Sequence, residues 1–181
     1  MMTAPSPPPW SYWVDPNHFL AGCFPSSQDL AEQEEKFGLL LDLGIRSFVN
    51  LMEVDERNRA GALFADYVTP LTEMGKRRGI EVLCARYPIR DLGVPTRAGM
   101  EEILDGADHA LEHGPVYLHC WGGVGRTGTV VACWLLRHGH DTRDDVLDYI
   151  RSLRRMDRVR GHRSSPETDA QLRFVREWVG R

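Results

Sequence analysis

Residues 115–139 read PVYLHCWGGVGRTGTVVACWLLRHG. A short apolar segment, PVYLHC, ends at a cysteine. Five residues follow, three of them glycine, and then a segment that is apolar nearly all round. The first segment has the length of a buried strand and the second that of a central helix, with Gly139 as its stop. The turn between them is too short to hold anything else. A strand that runs directly into a buried helix confines the chain to folds in which the two alternate.

The rest of the sequence repeats that alternation. FLAGCFPS reads as a strand ended by Pro25, and QDLAEQEEKFGLLLDLG as a helix stopped by Gly44. IRSFVNLM and IEVLCARYPI read as strands, with a short helix in PLTEMGKRRG between them. RAGMEEILDGADHALEHG is helical up to Gly114. Thr142 and Asp145 have capping-box spacing at the head of the next helix. The last helix is expected to open at Ser165-Pro166 and to bury Leu172, Val175 and Val179 on one face. Strands alternating with helices predict an α/β domain with a central, mostly parallel sheet of four to five strands flanked by helices. Ligands bind at the carboxyl ends of the strands in such sheets, and Cys120 falls at one.

Composition narrows the class. A chain of 181 residues suits one domain, expected over 10–181 behind a disordered proline-rich lead over 1–9. The net charge of −4 argues against a nucleic-acid or anionic-membrane partner for the surface as a whole. The longest apolar run, Val130 to Leu136, is too short to span a bilayer. MMTAPSPPPW lacks the basic and apolar regions of a secretory signal. Cysteines 23, 84, 120 and 133 show no paired spacing, which suits a reducing, cytoplasmic compartment. A monomer is expected.

The turn itself carries chemistry. Gly122, Gly123 and Gly125 permit backbone angles that let the amides of Trp121 to Arg126 point into one concavity. Together with a helix N-terminus they make an anion cradle. The same positive field favours a thiolate, so Cys120 is a candidate nucleophile. Arg126 offers a planar fork for two phosphate oxygens. Thr127 can present its hydroxyl to the sulfur, and His119 can fix the loop through hydrogen bonds. A Walker A loop is excluded, because the turn does not end in Gly-Lys-Ser/Thr.

HCWGGVGRTG resembles the His-Cys-x5-Arg-Ser/Thr signature of the cysteine-based protein tyrosine phosphatases. The similarity extends through YWVDPNHFLAGCFP, GIRSFVNL, YPIRDLGVP and SPETDAQ, in the order found in small dual-specificity-type and bacterial members. The resemblance implies a phosphatase-type α/β fold. It also implies hydrolysis of phosphotyrosine, and of phosphoserine or phosphothreonine, in proteins through a phosphocysteine, without metal or other cofactor. Cys120 is then the nucleophile. Trp121, Gly122, Gly123, Val124 and Gly125 supply phosphate-binding amides beside Arg126, and Thr127 eases departure of the sulfur. Asp91, 29 residues before Cys120, matches the acid of the family's mobile loop. Gln171 aligns with a glutamine that orients water in some relatives; otherwise it is a surface helical residue. Glu53 or Glu56 could pin Arg126. Cys84 or Cys133 could pair with Cys120 on oxidation, as in some relatives, or be core thiols. A lipid, nucleotide or RNA phosphate is the competing substrate, disfavoured by the lack of Lys or Arg from Trp121 to Gly125. An inactive phosphate-capture module is a further alternative. Residues 151–163, RSLRRMDRVRGHR, hold six arginines and read either as a solvated helix end or as a basic rim for acidic substrates.

Overall fold

A computed structural model describes residues 4–139 and 143–179. Five strands form one sheet: β1 (Ser11–Asp15), β2 (Phe19–Gly22), β3 (Ser47–Asn50), β4 (Leu83–Arg86) and β5 (Val116–His119). Their order is β1-β2-β5-β3-β4. Only the β1–β2 pair is antiparallel. The helices are α1 (Leu30–Asp42), α2 (Val68–Arg77), α3 (Arg97–Glu112), α4 (Gly125–Arg137), α5 (Arg143–Leu153) and α6 (Asp169–Glu177), with a 3-10 turn at Arg154–Met156.

The two faces of the sheet divide the core by the period-2 rule. Val116 and Leu118 of β5, Phe19 and Ala21 of β2 and Val49 of β3 pack with residues of α3, α4, α5 and α6. Tyr117, Leu20 and Phe48, the intervening residues, pack with α1 and α2. β5 is the central strand, and all four of its residues are buried. That burial on both faces is why its sequence is apolar without alternation. α4 is buried from Gly125 through Leu135, as its all-round apolarity predicts. Gly44, Gly114 and Gly139 take positive φ just past α1, α3 and α4, so those helices stop where the sequence places their stops.

Three expectations change. β1 pairs with β2 and is absent from the sequence reading, because Ser11 to Asp15 is buried throughout its first four residues and shows no alternation. The last helix begins at Asp169, not at Ser165-Pro166. Thr168 caps it, and Gln171 closes a capping box. Its buried face is Gln171, Val175 and Trp178, while Val179 is 60% exposed. The lead over 1–9, read as disordered, lies against the domain where it is described: Pro5 O accepts from Trp13 Nε1 at 2.8 Å and Pro8 O from Ser11 Oγ at 2.9 Å. Proline carbonyls with no amides of their own are ready acceptors for such contacts. Thr142 of the expected capping box lies outside the described residues.

Candidate active site

Cys120 follows the last residue of β5, and α4 begins five residues later. The intervening turn is shaped by contact with β2. Gly123 has φ +67, and a Cβ there would stand 2.5 Å from the carbonyl carbon of Gly22. No side chain fits that approach. The Gly123 carbonyl accepts a 2.6 Å hydrogen bond from Arg154 Nη1. Trp121 O accepts from Phe24 N at 2.9 Å, and Val124 O from Ser165 Oγ at 2.6 Å. The turn is therefore held at three of its carbonyls, those of Trp121, Gly123 and Val124, by three different segments.

Cys120 is 3% exposed at the base of a cleft of about 560 Å³, and Thr127 Oγ1 donates to its sulfur at 3.1 Å. Arg126 lines the same cleft and is 2% exposed. Its Nη1 and Nη2 hold the two oxygens of Glu56 at 2.6 and 2.7 Å, a bidentate pair, and Nη1 also donates to Ile89 O at 3.0 Å. Burial alone would lower the pKa of Arg126; the hydrogen bonds to Glu56 and the nearby negative groups raise it above its ordinary value instead. Of the two candidate acids, Glu56 is thus the one that meets Arg126. Glu53 contributes its backbone N–H to Glu56 Oε2 at 3.3 Å.

Asp91 reaches this cleft from the segment after β4, with Oδ1 3.0 Å from Arg126 Nη2. It sits in a turn closed by Gly93 N donating to Arg90 O at 2.9 Å, in which Leu92 has φ +60. That angle is unusual for a bulky side chain and marks a constrained turn. Gln171 secures the turn from α6. Its Nε2 donates to Gly93 O at 3.1 Å, and its Oε1 accepts from Glu167 N and Thr168 N at 3.0 and 3.1 Å. Gln171 is fully buried, not a surface helical residue, and it lines the cleft.

His119 lies beneath the turn. Its Nδ1 faces Cys120 O at 3.2 Å and its Nε2 faces Tyr67 OH at 2.7 Å. A carbonyl only accepts, so Nδ1 carries the proton and Nε2 accepts from the tyrosine. Complete burial pushes the pKa of His119 down to about 3, which keeps the ring neutral. Trp121 is half-buried, its ring 5.7 Å from that of Phe64. All four cysteines are free thiols, and burial pushes the pKa of Cys84 up to about 11 and that of Cys133 higher still. Protonated thiols of this kind are poor nucleophiles.

Arg154 was missed as a site residue. It is 1% exposed, donates to Gly123 O and to Arg160 O, and lies 3.8 Å from Asp157. The sequence offered one faint signal, an Arg and Asp three apart inside a basic run. The reading of 151–163 as a solvated helix end fails at Arg154, which is interior.

The cleft thus brings together a buried cysteine at a strand-to-helix turn, a buried Arg–Glu pair and a half-exposed carboxylate. Residues 26–140 match the family model described as "Polymorphic toxin system, DSP-PTPase phosphatase", and the chain belongs to that family and to the cysteine-based protein tyrosine phosphatase superfamily. It is 30% identical over 172 residues to protein tyrosine phosphatase domain-containing protein 1 of Mus musculus, a match that covers 94% of this chain and 21% of that protein. The chain spans about a fifth of the length of such curated relatives. The fold is similar to that of PTPMT1 in complex with PI(5)P, at TM-score 0.64 and 19% identity, with 93% of each chain covered. It is also similar to P. aeruginosa TpbA in complex with pTyr, at TM-score 0.60 and 18% identity, with 94% of this chain and 90% of that one covered. No helix among the described residues is long and apolar enough to cross a membrane.

Proposed function

We propose that the chain hydrolyses phosphotyrosine in proteins through a phosphocysteine intermediate. The observation that carries this reading is the cluster at the cleft base: Cys120 Sγ 3.1 Å from the Thr127 hydroxyl, with Arg126 and Asp91 3.0 Å apart in the same cleft.

The Cys120 thiolate attacks phosphorus while the bond to the leaving oxygen breaks, and Asp91 gives that oxygen its proton. The amides from Trp121 through Arg126 and the Arg126 guanidinium stabilise the three equatorial oxygens. Phosphate competes with Asp91 for Arg126 Nη2, so binding frees the carboxyl for its role as acid. In the second step Asp91 takes a proton from water, the water oxygen bonds to phosphorus and the S–P bond breaks. The Thr127 hydroxyl stabilises the departing thiolate. Gln171, buried beside Gly125, is in reach of the cleft to orient that water. Glu56 and His119 position Arg126 and the turn.

The fold alone does not choose the substrate: neighbours of this fold include one bound to pTyr and one bound to PI(5)P. The cleft is lined by the side chains of Trp121 and Leu92, apolar surfaces that suit the ring of phosphotyrosine.

Hydrolysis of p-nitrophenyl phosphate with chelator and reductant present tests the chemistry. Turnover by wild type and none by Cys120→Ser, with the fold retained, is the expected result. A folded wild type without turnover would overturn the reading in favour of phosphate capture.

A further inference from the structure

The basic run at 151–163 divides between two faces. Arg154 is interior, and Arg155 and Arg158 line a depression beside the N-terminal prolines. Arg160 and Arg163 line the active-site cleft, where Arg59 joins them from the segment after β3. Arg126 is engaged by Glu56 and Asp91, and Arg163 by Glu167. Among the described residues, no ion pair is made by Arg59 or Arg160. The Arg59 guanidinium stands 5.8 Å from the Trp121 ring centroid. Arg160 is anchored at its backbone, its amide donating to Asp157 Oδ1 at 2.9 Å and its carbonyl accepting from Arg154 Nη2 at 2.7 Å. Two guanidiniums without an ion pair therefore border Trp121, the residue next to Cys120.

A second groove of about 480 Å³ adjoins the first, sharing Trp121 and Arg160; its apolar wall is Trp10, Phe24, Phe64 and Val159, and Glu32, Glu35 and Lys36 line it on the α1 side. A compact polyphosphate would leave it empty. An extended chain would cross Arg160 and then fill it with an apolar side chain.

Resting on the phosphatase reading above, we propose that Arg59 and Arg160 form a second anion subsite. It selects phosphopeptides in which an acidic or phosphorylated residue adjoins the phosphotyrosine and an apolar residue follows it. The test compares kcat/KM on phosphotyrosine peptides that differ only at the adjoining position (Glu, Gln or Lys). Inositol hexakisphosphate and p-nitrophenyl phosphate are measured alongside. Wild type is expected to favour the Glu peptide over the Gln peptide by about tenfold, the scale of two partly exposed ion pairs. The preference should shrink as salt rises. Arg59→Glu/Arg160→Glu should reverse the order and favour Lys. Should that double variant fail to fold, Arg59→Gln alone must reduce the ratio. Equal rates on the Glu and Gln peptides, with p-nitrophenyl phosphate still turned over, would overturn the subsite alone. So would turnover of inositol hexakisphosphate more than about tenfold above the best peptide. Absence of p-nitrophenyl phosphate turnover would instead remove the phosphatase reading, and the subsite with it.

Discussion

Asp91 and Glu56 meet Arg126 from opposite environments. Glu56 is buried and makes two hydrogen bonds to the guanidinium; Asp91 is about half exposed and makes one close contact. The exposed partner is the one free to leave. Asp91→Asn should lower turnover by roughly 100- to 10,000-fold, the range for a lost general acid. The loss should be greater on phenyl phosphate than on p-nitrophenyl phosphate, because the nitrophenolate departs with little help from a proton. Equal losses on the two esters would assign Asp91 to binding. Glu56→Ala should act differently. It removes the bidentate partner of a buried guanidinium, leaving it Asp91 and Ile89 O, which should cost about 1.5–3 kcal/mol, read as a lowered urea midpoint. Cys120 and Arg126 were legible because their spacing is set by one continuous turn. Which of Glu53 and Glu56 reaches Arg126 was not, since two acids in one loop differ only in where the fold points them.

At the scale of elements, the turn from Cys120 to Arg126 depends on segments far from it in sequence. Arg154 holds Gly123 and Arg160 together by two diverging hydrogen bonds to carbonyls. A single ammonium at that position reaches them poorly. Arg154→Lys should keep the buried charge and the overall fold, yet reduce kcat/KM on p-nitrophenyl phosphate by about tenfold or more through a loosened turn, on the scale of one lost charge-assisted bond. A kinetically silent variant with unchanged stability would show the turn to be self-supporting. The helices were legible from apolar periodicity and glycine stops. The start of α6 was misread because Ser165-Pro166 carries a local helix-start signal. The true start, Thr168 with Gln171, uses a capping box whose glutamine also reaches Gly93 of the turn that carries Asp91. β1 escaped notice for a related reason: a strand buried on both faces shows no alternation to read.

For the molecule as a whole, His119 links folding to pH. It is fully buried in the central strand, bonded to Tyr67 OH on one side and facing the Cys120 carbonyl on the other. Burial holds its pKa at about 3 in the fold, against an ordinary value of 6.5. Between those values the unfolded chain binds a proton that the folded one refuses. Stability therefore rises with pH through this window and is free of this effect above it; below about 6.5 it falls, by up to about 1.4 kcal/mol per unit. From pH 7.5 to pH 5 this one residue accounts for a loss of about 2 kcal/mol. His119→Asn removes the titration and leaves every other group in place. Urea unfolding of both proteins at the two pH values should show the wild type losing about 2 kcal/mol more than the variant. Equal losses would mean that the imidazole takes up its proton within the fold as readily as in the unfolded chain, and that burial does not hold the ring neutral at pH 5.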